Sequence, residues 1–265
     1  MHQLLYINWT VNPELVNIGP LTIRWYGLFF ASAFLLGYYI MKKVFIKEGI
    51  KEESLDKILI YTMVGTIVGA RLGHVLFYDF KDYLANPIDI LKIWEGGLAS
   101  HGAVIGISIA LYIFSKKIVK KSLLWTLDRV VLTISIGACF VRVGNLMNHE
   151  IIGLPTTLPW AFEFTLVDQL PRHPAQLYEA FSYLIIFLIL SYGYWKRNAA
   201  EKEGLLVGIF FVLVFGARFF IEFCKENQVA FEQGLSLNMG QLLSIPIVLL
   251  GFFLIFRAIK NTPAN

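Results

Sequence analysis

VVLTISIGACFVRVGNLMNHE, residues 130–150, starts as a membrane span and finishes as a cluster of polar groups. Its first part, VVLTISIGACFV, carries no charged side chain. Arg142, Asn145, Asn148, His149 and Glu150 then follow within about two and a half turns of helix. A bilayer core takes about 20 consecutive apolar residues to cross. Polar groups crowded at the end of such a run must meet headgroups, water or one another. The stretch predicts a transmembrane helix ending in a site, provided the rest of the chain is of the same kind.

The composition says that it is. Of the 265 residues 57% are hydrophobic and 16% charged, whereas soluble domains carry about 25% charged residues. The mean hydropathy is +0.62, and the apolar residues come in blocks. Seven blocks are long enough to span, at about 21–41, 58–78, 97–114, 123–142, 177–195, 204–223 and 239–257. The expected fold is an all-α polytopic membrane protein, with residues 1–265 forming one integral membrane domain. No internal repeat or low-complexity linker interrupts it. The first twenty residues contain no Lys or Arg and no long apolar core, so no removable signal peptide is expected. Cys139 and Cys224 form no framework and read as small buried hydrophobes.

Lys and Arg set the orientation. They crowd the connections after the first span (Lys42, Lys43, Lys47, Lys51, Lys57), after the third (Lys116, Lys117, Lys120, Lys121) and after the fifth (Lys196, Arg197, Lys202). Arg257 and Lys260 extend the same side. The opposite side holds only Lys81, Lys92, Arg142, Arg172 and Lys225. The N-terminus is therefore expected outside and the C-terminus in the cytoplasm. The external connections look structured. Segment 79–96 contains IDILKIWEGG, an amphipathic piece with Trp94, suited to the interface. Segment 149–175 contains four prolines and WAFEFTLV, which alternates as a strand of a small hairpin does. Together they predict a small external cap.

A charge deep in a bilayer costs about 2.5–3.5 kcal/mol or more, so it faces protein or a wet cavity. Arg24, Arg71, Arg129 and Arg218 meet that test. Arg218 and Glu222 share a helix face; they form either a self-contained ion pair or a carboxylate aiming an arginine at an anion. Arg71 and His74 read as a network holding the second span. Asp128 and Arg129 read as structural and able to snorkel. Gly65, Gly69 and Gly73 form a stripe for close helix packing. His101 stands between Gly96, Gly97 and Gly102, either as a satisfied structural group or as a proton acceptor near neutral pH. Glu179, one turn into the fifth span, either favours the helix dipole or belongs to a site. Tyr26 is either an interface anchor or a site residue. Tyr26, His101, Arg142, Asn145, Glu150, Glu179, Arg218 and Glu222 all map to the external half of their spans. Scattered structural groups have no reason to choose one leaflet. A converging set with cationic and proton-exchanging members fits a ligand with phosphate and alkyl parts, such as an anionic phospholipid.

With these residues in view, the chain resembles the bacterial prolipoprotein diacylglyceryl transferases over nearly its whole length. RVGNLMNHEIIG, residues 142–153, is similar to the family signature GRxGNFxNxExxG. IRWYGL, WEGGLASHGA, RHPAQLYE and RFFIEF resemble its other ordered motifs. Val141, Leu146, Ala99 and Ala103 depart from the pattern and alter packing around the site, while Arg142, Asn145, Asn148, Glu150, Gly153 and His101 are retained.

The resemblance implies transfer of the diacylglyceryl group of phosphatidylglycerol to the lipobox cysteine thiol of prolipoprotein signal peptides. A thioether forms, glycerol phosphate leaves, and the step precedes signal peptidase II. The implied place is the bacterial cytoplasmic (inner) membrane, with the site in the outer half of the bilayer. A thiol has a pKa of about 8.5 and attacks as thiolate. His101 is the candidate base, and Arg142 and Arg218 are the candidate stabilisers of the departing phosphate. Tyr26, Asn145, Asn148, Glu150, Gly153, Glu179 and Glu222 complete the expected substrate-binding set. No cofactor, metal or nucleic acid is expected; the partners are phosphatidylglycerol, the prolipoprotein and membrane lipid. A transporter or channel for a small anion or lipid is the competing reading. It predicts polar residues along a path through the whole bilayer, and often paired repeats; a structural membrane subunit is a third.

Overall fold

The computed structural model describes residues 6–19, 21–93, 96–97, 99–226 and 236–261. Trp94, on which the interfacial reading of segment 79–96 leaned, lies outside the described residues. Among the described residues, seven helices are long and apolar enough to cross a membrane. They are α1 (Trp25–Lys47), α2 (Glu53–Phe77), α4 (Ser100–Phe114, continued by a π turn at Ser115–Val119), α5 (Leu123–Met147), α6 (Ala175–Arg197), α7 (Leu205–Ile221, closed by a 3-10 turn at Glu222–Cys224) and α8 (Met239–Lys260). The short helix α3 (Phe80–Ala85) and a 3-10 turn at Pro87–Leu91 fill the connection between α2 and α4. All seven expected spans are found, with ends displaced by a few residues. Large apolar side chains such as Leu35, Leu249, Phe220 and Phe256 are exposed along the helices. Lipid-facing surface requires this, because lipid tails are as apolar as these side chains.

The chain forms two compact units, Met1–Ile40 with Asp128–Asn265, and Met41–Leu127. In the second unit, α2 and α4 meet along glycine. A Cβ added at Gly65 would stand 2.8 Å from both Ala110 Cβ and Gly106 O, and Gly69 and Gly73 meet the Gly102 and Gly106 backbone as closely. The stripe therefore packs helices, as expected. Gly102, next to His101, is consumed by the same contact. Arg71 is buried, and its guanidinium donates to the carbonyls of Asp89, Ile90 (2.9 Å), Gly96 (2.7 Å) and Gly97 (3.2 Å). One planar fork thus gathers four carbonyls of the segment between α2 and α4. His74 Nε2 lies 2.9 Å from Asp79 Oδ2.

In the first unit, α7 and α8 pack along Gly208 and Gly251. At one end of this unit the fully buried Asp128 accepts from the backbone N–H groups of Gly204 (2.7 Å) and Val207 (2.9 Å), so α5 caps α7. Arg129 donates to Ala200 O. Neither residue snorkels: the free N–H groups of the α7 N-terminus hold the carboxylate inside.

The other end of the first unit carries β structure that hydropathy does not register. β1 (Ile7–Trp9) pairs in parallel with β4 (Phe162–Phe164), and β4 pairs antiparallel with β5 (Pro171–Arg172). The strand expected in WAFEFTLV is β4. β2 (Glu14–Ile18) and β3 (Leu21–Arg24) form a separate hairpin. The first span was expected to begin at residue 21, but β3 occupies 21–24 and α1 starts at Trp25. Left-handed Gly19 turns the chain back before the helix begins. Arg24 is consequently not an intramembrane charge: it sits in β3, largely exposed, 3.9 Å from Glu14. Trp9 donates from Nε1 to Leu146 O at 3.0 Å, and packs on Phe162 within a cluster of Leu146, Ile152, Phe162 and Phe164. The N-terminal segment is thereby fastened to the end of α5.

Candidate active site

The polar end of α5 is held in place from several sides. Arg142 and Asn145, one turn apart, meet through Arg142 Nη1 and Asn145 Oδ1 at 3.2 Å. Asn145 Nδ2 donates to Glu150 Oε2 (3.1 Å) and Asn148 Nδ2 to Glu150 Oε1 (3.2 Å). A carboxylate past the helix end can reach back this way because the chain reverses there: His149 and Ile151 both have positive φ, 56° and 57°. His149 Nε2 meets Val11 O at 2.8 Å, and Gln176 Nε2 donates to Glu150 O at 2.6 Å.

The missing side chain of Gly144 leaves space beside Arg142 and Asn145 on α5. The Tyr26 ring takes that room: a Cβ on Gly144 would stand 2.9 Å from Tyr26 Cδ2. Gly153 is filled in the same sense. A Cβ there would meet His173 Cβ and His173 O at 2.5 Å and Cys224 O at 2.6 Å. The Gly153 N–H donates to His173 O, Leu154 N–H to Cys224 O and Arg172 Nη1 to Gly153 O. Three chain segments cross at this residue.

The ionic core lies deeper. Arg142 Nε is 2.8 Å from Glu179 Oε2, and Glu179, in the first turns of α6, is fully buried. The contact is an ion pair rather than an aligned hydrogen bond. Arg218, at the end of α7, meets Glu222 Oε1 through Nε at 3.3 Å. Lys225 joins the two pairs, with Nζ 2.8 Å from Glu222 Oε1 and 3.5 Å from Glu179 Oε1. The order is Arg142–Glu179–Lys225–Glu222–Arg218. Asn238, the N-cap of α8, donates from Nδ2 to Glu222 Oε2 at 3.1 Å. Gly240 lets that carboxylate lie against the α8 backbone, since a Cβ there would stand 2.6 Å from Glu222 Oε1. Buried Tyr183 is within electrostatic reach of Glu179, Arg142 and Arg218.

The structure thus gathers Tyr26, Arg142, Asn145, Asn148, Glu150, Gly153, Glu179, Arg218 and Glu222 at one end of one unit. His101 belongs to the other unit, at the exposed start of α4, with its ring 5.3 Å from that of Phe77 and 5.8 Å from that of Tyr78. Sequence reading missed Lys225, Asn238, Gly240 and Tyr183. Lys225 stands three residues after Glu222, itself four after Arg218, and that double helical spacing was the available signal. Asn238 with Gln241 is a capping box that announces the start of α8.

Two planar guanidinium groups joined through one chain of ion pairs, each tethered by a carboxylate at the end of an apolar helix, are suited to hold a phosphate at the edge of a bilayer. Residues 13–257 match the family model described as prolipoprotein diacylglyceryl transferase. The chain is 49% identical over 256 residues to the phosphatidylglycerol–prolipoprotein diacylglyceryl transferase of Chloroherpeton thalassium, covering 97% of this chain and 96% of that one. It is 47% identical to the enzyme of the same name from Tolumonas auensis, covering 96% and 98%. For that from Porphyromonas gingivalis the figures are 47%, 97% and 96%.

Proposed function

The chain belongs to the prolipoprotein diacylglyceryl transferase family, and we propose that it transfers the diacylglyceryl group of phosphatidylglycerol to the lipobox cysteine of prolipoproteins. The protein is a multi-pass membrane transferase of lipoprotein biosynthesis. The observation that carries the reading is the chain of ion pairs joining Arg142 to Arg218, within a sequence nearly half identical to named transferases of this kind. A transporter is not favoured, because the relatives named for transfer match this chain over almost its full length.

In the proposed reaction the prolipoprotein thiolate attacks the glyceryl carbon that carries the phosphate. The carbon–sulfur bond forms as the carbon–oxygen bond breaks, and its electron pair leaves on glycerol phosphate. Arg142 and Arg218 hold the phosphate and stabilise the charge that grows on the departing oxygen. Glu179 and Glu222 aim these arginines, and Asn145 with Glu150 fixes the Arg142 fork from the other side. Tyr26, Asn148 and Gly153 shape the headgroup site. The thiol proton goes to His101, a role resting on the resemblance of its segment and on imidazole chemistry. The reading places the protein in the inner membrane, N-terminus outside, with the Arg142 end in the outer leaflet. The basic connections after α1, α4 and α6 support that orientation.

The test is direct. Purified protein in detergent, given phosphatidylglycerol and a lipobox peptide, is expected to add a diacylglyceryl mass to the peptide and release glycerol phosphate. A peptide of unchanged mass with the protein folded overturns the reading.

A further inference from the structure

Lys225 is the one member of the ionic core to which neither the motifs nor the proposed chemistry gives a task. Its side chain is 4% exposed, yet it lies beyond the end of α7 in a connecting segment. One backbone bridge fixes it there. Lys225 pairs with Gly153 through two flanking hydrogen bonds, Glu226 N–H to Ile152 O at 3.3 Å and Leu154 N–H to Cys224 O at 2.8 Å. The segment after the α5 motif thus holds the backbone from which Lys225 reaches inward.

Charge bookkeeping shows what it does there. Without Lys225, Arg142 pairs with Glu179 and Arg218 with Glu222, and the four groups are neutral. An anionic ligand would then compete with two buried carboxylates for two arginines. Lys225 touches both carboxylates and adds a third cation, so the five groups carry one surplus positive charge. The inner three are buried, whereas Arg142 and Arg218 are 16% and 37% exposed. The surplus is therefore presented at the two arginines. It matches the single negative charge of a phosphodiester. Glu150 stands outside this chain of pairs, exposed and bound by the amides of Asn145 and Asn148.

We propose that Lys225 is a positioning residue for diacylglyceryl transfer, offsetting the charge of Glu179 and Glu222 so that Arg142 and Arg218, still held by those carboxylates, keep a surplus positive charge for the lipid phosphate. The proposal rests on the transferase reading above. Lys225→Met is expected to lower kcat/KM for phosphatidylglycerol by at least about tenfold, the loss of one modest charged interaction. It should weaken inhibition by free glycerol phosphate to a similar degree. Lys225→Arg is expected to stay within about threefold of wild type. The double variant Lys225→Met/Glu222→Gln restores the surplus charge and should recover part of the lost anion affinity, which a purely structural lysine would not allow. Wild-type protein without transfer activity overturns the transferase reading. Active wild type beside a Lys225→Met variant of unchanged kcat/KM and unchanged inhibition overturns this proposal alone. So does a loss that neither Lys225→Arg nor the double variant relieves, or failure of every Lys225 variant to survive extraction.

Discussion

Arg142 Nε and Glu179 Oε2 lie 2.8 Å apart, and the carboxylate has no exposure to solvent. Glu179 was read from sequence as either a dipole-favoured residue or a site member; its pairing makes it a partner of the central arginine. Burying a carboxylate is costly unless it is paired. Each partner therefore depends on the other for its place.

Replacing Arg142 separates charge from geometry. Arg142→Ala is expected to lower transfer by at least about 10²-fold, the usual cost of one donor to a developing oxyanion. The protein should still insert, because Lys225 continues to compensate Glu179. Arg142→Lys keeps the charge and loses the planar fork, so it should fall between wild type and Ala. Rates with phosphatidylglycerol and a lipobox peptide, normalised to folded protein, check the order.

Gly153 tests whether a signature residue touches substrate or backbone. The missing side chain is replaced by His173 and Cys224, so Gly153→Ala forces three segments apart. Overpacking of this kind costs about 1–3 kcal/mol. The expected outcome is a lowered thermal midpoint together with reduced activity, because Lys225 is bridged to this residue. A variant with wild-type melting but lost lipid binding would instead make Gly153 a direct contact.

Hydropathy made the seven spans legible because bilayer thickness fixes how long an apolar run must be. The polar ends of the helices were legible for a related reason: a charge at the end of an apolar run has to be paired or solvated. Contacts made across long sequence separations were hidden. β1 is three residues long, and its parallel partner lies at 162–164; no local periodicity marks such a pair. Lys225 looked like a loop cation because spacing alone does not say that its segment folds back on Gly153. The fold thus explains why Tyr26, Gly144 and Gly153 are the residue types they are, which the motif alone did not.

Asp128 probes the other end of the same unit. Its carboxylate accepts from Gly204 and Val207, so Asp128→Ala strips two N–H partners from the start of α7. Loss of such a cap costs about 0.5–2 kcal/mol. Fourteen residues along α5, at about 1.5 Å each, separate it from Arg142, a distance of about 21 Å. Lower thermal stability with unchanged kcat at low temperature is expected. A large fall in kcat for the folded variant would show that the two ends are coupled.

Acid should loosen the connection between α5 and α6. Arg172 donates to Asp168 from Nε at 3.0 and 3.1 Å, and this bonding holds the Asp168 carboxyl below the usual range. Burial pushes the His173 imidazole below its ordinary value. For both groups the folded state binds its proton less readily than the unfolded chain does, so each contributes stability at high pH that acid removes. The His173 contribution starts to fall as pH drops through about 6.5, the unfolded imidazole value. The Asp168 contribution falls later, below about 3.9. Melting of the detergent-solubilised protein across this range is expected to show two declines. Asp168→Asn should erase the lower one and keep the upper. His173→Gln should do the reverse. A melting temperature that stays flat between pH 7 and pH 5 in wild type would contradict the role given to His173.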